Sequence, residues 1–433
     1  MSLFGALTTA ISGLSAQSAA FGNIGDNVAN SQTVGYKRVD TNFEDYLTTS
    51  SPVANQSGSV VARPDYVNTV QGTVTQTDSP LNLAITGQGF FSVTRQVGET
   101  NGVPLFTPNP EFTRAGNFAL NKGGYLVNSD GEYLNGWLAD SAGTLDQTKT
   151  QPIQIGQSGF SPQPTKNATL AANLPATPDG SPITTQIPAT DALGKSQTLN
   201  LSWTQVAGAA NTWGVSVTQG GSATVLGTAQ VTFGPGGAPG APQGTLSSVG
   251  AATGALTGSA FSVGGAATLG IAADFGSGAQ PITLNLGHFG QSDGLTQYAG
   301  TTFSLRALTQ DGVPPGGYSG VTTQANGNVV VNYDNGQSRV VARVPLVTFA
   351  NANALQRQDG QAFTATQGSG AAQTMQAGTN GAGQLIVSSV ESSNVDIAAE
   401  FTKLIVAQRA YTANTKMVTT GDELLQATID MKR

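Results

Sequence analysis

Apolar side chains near the start of the chain recur at alternating steps of three and four residues. The remaining positions are small or polar, and Asp26 is the first charged residue. This spacing places the apolar side chains along one seam of a helix, as in a coiled coil. We expect this helix to end near residue 30. Because it has almost no charged face, we expect it to pack closely against several neighbours. The repeat runs through Phe4, Leu7, Ile11, Leu14, Ser18, Phe21, Gly25 and Val28.

The C-terminal segment shows the same alternating repeat. Ser393 and Asp396 match the spacing of a capping box, which predicts that this helix begins near residue 394. We interpret the two ends of the chain as helices that together form one coiled-coil stalk. The C-terminal repeat runs through Ile397, Phe401, Leu404, Gln408, Tyr411, Thr415, Val418, Asp422, Leu425 and Ile429.

Between these helices the apolar positions alternate with a period of two, which predicts strands. Leu199, Leu201 and Trp203 show this alternation. The turn Asp334-Asn335-Gly336 joins two such runs and is a strong hairpin signal. Residues 231–280 hold 13 glycines and few clean alternations, so they are either long loops or the least ordered part of a β-domain.

These patterns predict a multidomain protein with a terminal helical stalk and two mainly-β domains, the second inserted in the first. The terminal helices take residues 1–30 and 394–433, and irregular connecting segments take 31–70 and 365–393. The first β-domain takes 71–145 and 286–364, and the inserted outer β-domain takes 146–285.

Composition narrows the possible functions. The 433 residues include no cysteine and one histidine, which rules out disulfides, thiolate metal sites and a two-histidine metal site. His288 lies in phase with an apolar strand, and we expect it to be structural. The net charge of −7 argues against a nucleic-acid-binding face, and no apolar run is long enough to cross a membrane. We predict a protein without catalytic activity, cofactor or bound metal.

Three stretches of sequence carry a family resemblance. Residues 23–38 read NIGDNVANSQTVGYKR, residues 394–416 include VDIAAEFT and IVAQRAY, and residues 87–91 and 113–118 read GQGFF and TRAGNF. These stretches resemble the flagellar rod and hook axial protein family, and the C-terminal stretch resembles its hook members more than its rod members. The signature turn of that family corresponds to Asn27, Asn30, Gly35, Tyr36 and Lys37.

The resemblance implies a structural subunit of the bacterial flagellar hook. Such a subunit would polymerise with copies of itself into a hollow curved tube, a universal joint that transmits torque from rod to filament. Its implied partners are rod and hook–filament junction proteins, a hook cap protein and the flagellar type III export apparatus. The implied location is extracellular. The absence of a basic region before the first apolar segment fits export without a cleaved signal peptide.

The resemblance also suggests roles for the residues singled out above. The apolar seam positions of both helices would be the self-assembly surface. The signature turn would be a fixed joint between the tube-forming helices and the rest of the chain. Two alternatives remain open from the sequence: a distal rod protein of the same family, and a secreted β-rich adhesin or enzyme with helical ends.

Overall fold

The computed structural model of the chain describes residues 3–51, 54–140, 143–209, 211–222, 224–236 and 240–431. Helix α1 spans Leu3–Ala29 and helix α2 spans Ile397–Asp430. Between them, the described residues form strands joined by turns, with short 3₁₀ segments at Gly234–Gly236 and Ala352–Ala354. The prediction of two terminal helices and a mostly-β body is therefore confirmed.

Helix α2 begins three residues later than the capping-box pattern predicts. Asp396 is the N-cap, and its carboxylate accepts hydrogen bonds from the backbone N–H groups of Ala398 at 2.9 Å and Ala399 at 3.2 Å. The hydroxyl of Ser393 accepts instead from the N–H of Val395 at 3.3 Å. The predicted start near residue 394 was wrong because Asp396, rather than Ser393, satisfies the free N–H groups of the first turn.

The strands are numbered in chain order, and the first eleven precede residue 153. They are β1 Val39–Ser51, β2 Ala54–Tyr66, β3 Val74–Gln76, β4 Leu83–Thr86, β5 Phe91–Thr100, β6 Val103–Phe106, β7 Glu111–Thr113, β8 Ala119–Leu120, β9 Leu126–Val127, β10 Glu132–Leu138 and β11 Gln151–Pro152. The next strands are β12 Asn167–Asn173, β13 Ile183–Thr190, β14 Ser196–Gln205, β15 Thr212–Gln219, β16 Val225–Phe233, β17 Leu246–Gly250, β18 Leu256–Gly258, β19 Ala266–Asp274, β20 Ala279–His288 and β21 Ser304–Gln310. The last are β22 Tyr318–Thr323, β23 Asn328–Tyr333, β24 Ser338–Arg343, β25 Leu346–Thr348, β26 Gln356–Arg357, β27 Ala362–Thr364, β28 Gln373–Met375, β29 Gln384–Val387 and β30 Ser389–Glu391.

The chain divides into two compact units. The first contains residues 1–157, 320–332 and 338–433, and the second contains 158–319 and 333–337. The second unit is built on two five-stranded sheets, in the orders β13-β14-β15-β16-β17 and β18-β19-β20-β12-β21. Alternating apolar residues of both sheets, Trp203 and Trp213 among them, share one buried core.

The second unit differs from the range of 146–285 that the sequence pattern indicated, since residues 146–157 belong to the first unit and residues 286–319 to the second. Leu286, Phe289 and Leu295 are fully buried in its core, so the chain after residue 285 still belongs to this unit. The glycine-rich stretch 231–280 also contributes to it. Its described part includes β17, β18 and β19, and β19 pairs with β20. The described part of this glycine-rich stretch therefore contains strands joined by turns, rather than only long loops.

In the first unit, the early and late parts of the chain return alongside each other. β4 pairs antiparallel with β29, and β3 pairs antiparallel with β30. A twelve-stranded sheet holds β8, β9 and β10, together with the predicted hairpin of β23 and β24. Short strands from both ends of the sequence are thereby fixed to one β-body.

The connecting segments are more regular than the sequence analysis predicts. Residues 39–66 form a long antiparallel hairpin of β1 and β2, and residues 373–391 contain β28, β29 and β30. The hairpin lies along α1, where the Asn23 amide donates to the Thr41 hydroxyl at 2.8 Å and the Ser12 hydroxyl accepts from the N–H of Val60 at 3.0 Å. The prediction of irregular structure was wrong because these segments find strand partners in the fold. β1 pairs with β2, whereas β28, β29 and β30 pair with β25, β4 and β3, which lie elsewhere in the sequence.

Candidate functional site

The two terminal helices of the chain pack antiparallel. Leu7 contacts Gly421, and Gly13 lies against Asn414. Farther along, the rings of Phe21 and Tyr411 meet edge to face with their centroids 6.1 Å apart. A Cβ added at Gly13 would come within 2.9 Å of the Asn414 amide nitrogen. Small residues are therefore what allows the helices to approach so closely.

The stripe of α1 that is buried within the chain differs from the predicted seam. Phe4 is 69% exposed and Ile11 is 56% exposed. Leu7, Leu14, Phe21 and Val28 are partly buried. As expected for a helix with several neighbours, α1 packs against both α2 and the β1–β2 hairpin, and its small side chains form the inner face. The buried α1 residues are Ala10, Ala16, Ala20, Ile24 and Asn27.

Helix α2 also leaves many apolar side chains uncovered. Of its predicted seam residues, Leu404, Val418 and Leu425 are partly buried, whereas Ile397, Phe401 and Tyr411 are exposed. Exposed apolar patches of this kind are typical of interaction surfaces in proteins. Further exposed residues of this helix and its C-cap are Ile405, Val406, Met417, Leu424, Ile429 and Met431.

A set of buried residues with polar groups lies where α1 ends and α2 begins. We call it the buried junction, and it consists of Asn27, Tyr36, Lys37, Arg114, Glu391 and Glu400, with Gly35 in the adjoining turn. Asn27 is 1% exposed and uses its whole amide. Its Nδ2 donates to the carbonyl of Val39 at 2.9 Å and to Glu400 Oε2 at 3.1 Å. Its Oδ1 accepts from the N–H of Val39 at 2.9 Å and from the Tyr36 hydroxyl at 3.1 Å. One side chain therefore joins α1, α2 and the start of β1.

Gly35 and Tyr36 fix the turn that follows α1. Gly35 has a φ of +72°, and a Cβ there would lie 2.4 Å from the backbone nitrogen of Ala115. Its N–H donates to the carbonyl of Glu391 at 2.8 Å. The Arg357 guanidinium stacks 4.2 Å from the centre of the Tyr36 ring, and burial raises the pKa of the Tyr36 hydroxyl. Both the conformation and the space at position 35 therefore require glycine.

Glu391 is the centre of the ionic part of the buried junction. Its Oε1 accepts from Lys37 Nζ at 2.5 Å and from the N–H of Gly72 at 2.8 Å. Its Oε2 accepts from Arg114 Nη1 at 2.9 Å. Lys37 also donates to the carbonyl of Val70 at 2.7 Å. The cluster ties the segment after α1, the segment before α2 and the β-body to one carboxylate.

The buried junction holds two cations against one carboxylate. Lys37 is 1% exposed, Arg114 is 3% exposed and Glu391 is fully buried. Burial lowers the pKa of Lys37 to about 8; Glu391 opposes this shift, and Arg114 adds to it. Nearby, Lys403 bridges Glu400 at 2.7 Å and Asp40 at 2.5 Å, which ties α2 to β1.

The structure brings Asn27, Gly35, Tyr36 and Lys37 of the predicted turn into the buried junction. Asn30 lies outside it and bonds locally, to the carbonyl of Asp26 at 2.9 Å and to the Thr33 hydroxyl at 3.1 Å. Sequence reasoning missed the partners of this turn. One signal was available: charge is scarce in this chain, so any charged residue near an apolar strand was a candidate for pairing. The missed residues are Arg114, Glu391, Asn394, Glu400 and Lys403.

Asn394, which is partly buried, lies beside the buried junction next to α2. Its Oδ1 accepts from the N–H of Arg38 at 2.7 Å, and its Nδ2 donates to the carbonyls of Val67 at 3.1 Å and Val70 at 3.0 Å. No group of three or more acidic or histidine side chains among the described residues is placed to hold a metal ion. No helix among them is both long and apolar enough to cross a membrane. The arrangement holds separate segments of the chain in place.

Four stretches of the chain match known protein families. Residues 7–37 match the family described as flagella basal body rod protein, and residues 84–161 match the flagellar hook protein FlgE/F/G D1 domain. Residues 157–313 match the flagellar basal body protein FlaE D2 domain. Residues 387–431 match the flagellar basal body rod FlgEFG protein C-terminal family.

Individual relatives align along the whole chain. The chain is 32% identical to the flagellar hook protein FlgE of Brucella suis biovar 1 (strain 1330), with 100% of both chains covered. It is 28% identical to the flagellar hook protein FlgE of Escherichia coli (strain K12), over 99% of this chain and 100% of that protein. The crystal structure of Helicobacter pylori flagellar hook protein FlgE2 superposes with a TM-score of 0.47 at 13% identity, covering 72% of this chain and 98% of that chain.

Replacing Asn27 by alanine should destabilise the first unit. The substitution leaves buried groups of Val39, Tyr36 and Glu400 without partners, and each such group costs about 1–3 kcal/mol. We expect Asn27→Ala to lower the free energy of unfolding by about 3 kcal/mol, measured by urea titration of the helical circular dichroism signal. Asn30→Ala is the matched control and should cost less than about 1 kcal/mol. Equal losses in the two variants would contradict the role assigned to Asn27.

The pKa of Lys37 predicts how stability depends on pH. Between its folded pKa of about 8 and its ordinary value of 10.5, the unfolded chain holds a proton that the folded chain has released. The contribution of Lys37 to the free energy of unfolding therefore rises with pH across this interval. We expect the stability difference between wild type and Lys37→Met to grow from pH 8 to pH 10 in urea titrations. The exposed control Lys122→Met should keep the wild-type slope, and a pH-independent difference for Lys37→Met would refute the assignment.

Proposed function

The chain belongs to the FlgE family of flagellar hook proteins and is a subunit of the flagellar hook, and from this premise we propose how it assembles. The terminal helices α1 and α2 are the surface through which copies polymerise, and they line the hollow tube. The predicted assembly residues of α1 and α2 are part of this proposal. Self-polymerisation within the flagellum fits the family, and the full-length alignment with hook relatives favours a hook protein over a rod protein.

The exposed apolar surface of the helices is the observation that carries the proposal. Two large apolar side chains on α1 and nine on α2 and its C-cap are exposed in the single chain. Full burial of one such side chain is worth about 1.5–3 kcal/mol. Neighbouring copies that cover even part of this surface would gain enough free energy to offset the cost of ordering a subunit in a polymer.

The buried junction has a mechanical role in this proposal. A tube that transmits torque needs its helices joined firmly to the β-body of each subunit. The buried Glu391 cluster and the four bonds of Asn27 would supply that rigidity, because bonds to buried charged groups are stronger than exposed ones. Asn27, Gly35, Tyr36 and Lys37 would then act as the fixed joint.

The remaining parts of the proposal concern organisation and partners. The second unit would be an insertion within the first, since the chain of the first unit ends at residue 157 and resumes at residue 320. The subunit would be exported by the flagellar type III apparatus without a cleaved signal, assemble under a hook cap protein, and contact rod and junction proteins. It would work outside the cell as a universal joint and catalyse no reaction.

Charged substitutions on the exposed helix faces should prevent assembly. We expect wild-type protein at high concentration to form hollow tubes in electron micrographs, and the double variant Ile11→Asp with Leu424→Asp to form none, because each charge would have to be buried at an interface. The matched control is Val263→Asp with Leu193→Asp, which changes apolar residues of the second unit that are even more exposed than Ile11 and Leu424. Retained helical circular dichroism would show that the helix variant is folded. Tubes from that variant would place the assembly surface elsewhere.

A further inference from the structure

An open groove lies among α1, α2 and the β1–β2 hairpin. Its volume is about 430 Å³. The lining is mainly apolar, and two of its members, Phe43 at 43% and Val406 at 62%, are exposed to solvent. Asp40, Glu400 and Lys403 are charged members of the lining. The apolar lining consists of Ala20, Ile24, Val39, Phe43, Val406, Ala407 and Ala410.

A ridge of large apolar side chains projects from a different side of α2. Ile397, Phe401 and Ile405 follow one another at intervals of four residues, and they are 41%, 50% and 51% exposed. Residues four apart lie one above the other on a helix, so the three side chains form a continuous row. Arg409 and Lys416 continue this row toward the C-terminus, and both are exposed.

The groove and the ridge face in opposite directions. At 3.6 residues per turn, each residue advances about 100° around the helix axis. Lys403, Val406 and Ala410 border the groove, and their mean direction lies roughly 170° from that of the ridge. The two surfaces therefore cannot meet within one chain, and two copies cannot use both to close on each other around a twofold axis. A contact between the ridge of one copy and the groove of the next is head-to-tail and can repeat without limit.

We propose that the groove of one subunit receives the α2 ridge of a second copy of this chain, with Phe401 and Ile405 inserted in the groove. This inference rests on the proposed function and adds which surface meets which. Insertion covers apolar residues on both sides, since the groove lining and the ridge are each partly exposed in the single chain.

Charge supports the same pairing and sets its direction. The hairpin, residues 39–66, carries four acidic residues and one basic residue, whereas residues 401–421 of α2 carry three basic residues and no acidic one. Asp45 is exposed and shares a strand face with Phe43, because side chains alternate along a strand. The hairpin runs from Val39 toward the N-terminus of α1, where Val60, the partner of Asp45 in β2, bonds to Ser12.

This geometry implies that the α2 helices of the two copies run in the same direction. With Phe401 and Ile405 in the groove near Phe43, a parallel helix brings Arg409 toward Asp45, whereas an antiparallel helix would carry its basic residues away from the acidic strand. Opposite charges facing across the contact would then fix its register.

Disulfide trapping can test this contact cleanly because the chain has no cysteine. Gln17, which lines the groove, and Ile405, on the ridge, are both replaced by cysteine in one chain, which is assembled and then oxidised. A disulfide forms where the Cα atoms come within about 4.4–6.8 Å. We expect a covalent ladder of dimers, trimers and longer species from this chain on a non-reducing gel. Each single variant, and the control that pairs Gln17→Cys with Val263→Cys, should remain monomeric.

Each other outcome has a distinct meaning. Tubes without a ladder from the double-cysteine chain would overturn the ridge-in-groove contact while leaving hook assembly intact. Dimers from Ile405→Cys alone would show a ridge-to-ridge contact and would also overturn it. Absence of tubes from cysteine-free wild type would overturn both this contact and the assembly proposed above.

Charge reversal gives a second test that does not depend on a cysteine being tolerated. Asp45→Arg and Arg409→Asp should each lower the sedimentable tube fraction at least about tenfold, because like charges would then face each other. The chain carrying both reversals should recover most of the wild-type fraction. Losses that simply add in the double variant would overturn the proposed pairing.

Discussion

Glu391 is a fully buried carboxylate whose two oxygens receive Lys37, Arg114 and a backbone N–H. Removing a charge from water costs several kcal/mol, and the cost is repaid only where good geometry satisfies every lone pair. That requirement constrains a large part of the first unit. The segment after α1, the loop at residues 70–72, the Arg114 region and the strand before α2 must all be in place for any of these groups to be buried safely.

The positions of α1 and α2 depend on these buried polar contacts. Neither helix has a wide apolar contact within the chain, since the inner face of α1 is largely alanine and much of α2 is exposed. Their positions are fixed mainly at one end, by Asn27, Glu400 and Asn394. Helices that are fixed at one end and have few apolar contacts within the chain suit a hook subunit, because their apolar faces stay available to neighbouring copies. The interior of the chain supplies orientation, and association between copies would supply most of the burial.

The sequence predicted the features that depend on local patterns. The 3–4 repeats indicated both helices, and Asp334-Asn335-Gly336 indicated a hairpin that the structure contains. The stripe of α1 that is buried within the chain differs from the predicted seam, because the repeat of one helix does not show which face meets α2 and which meets the β1–β2 hairpin. The family resemblance pointed to Lys37, but Glu391 lies 354 residues away along the chain. A pairing at that separation follows from the tertiary fold, and no spacing rule indicates it.

Hydrogen exchange of wild type and Glu391→Gln would test most directly whether one carboxylate holds the ends of the chain to the β-body. Losing one partner of a buried ion pair costs about 3–5 kcal/mol. If that loss reaches the whole buried junction, amide exchange should accelerate together, at least about 100-fold, at Gly35, Gly72, β3, β30 and the first turns of α2. Exchange in the core strands of the second unit should not change. Acceleration confined to Gly72, whose N–H bonds directly to the lost carboxylate, would contradict the account.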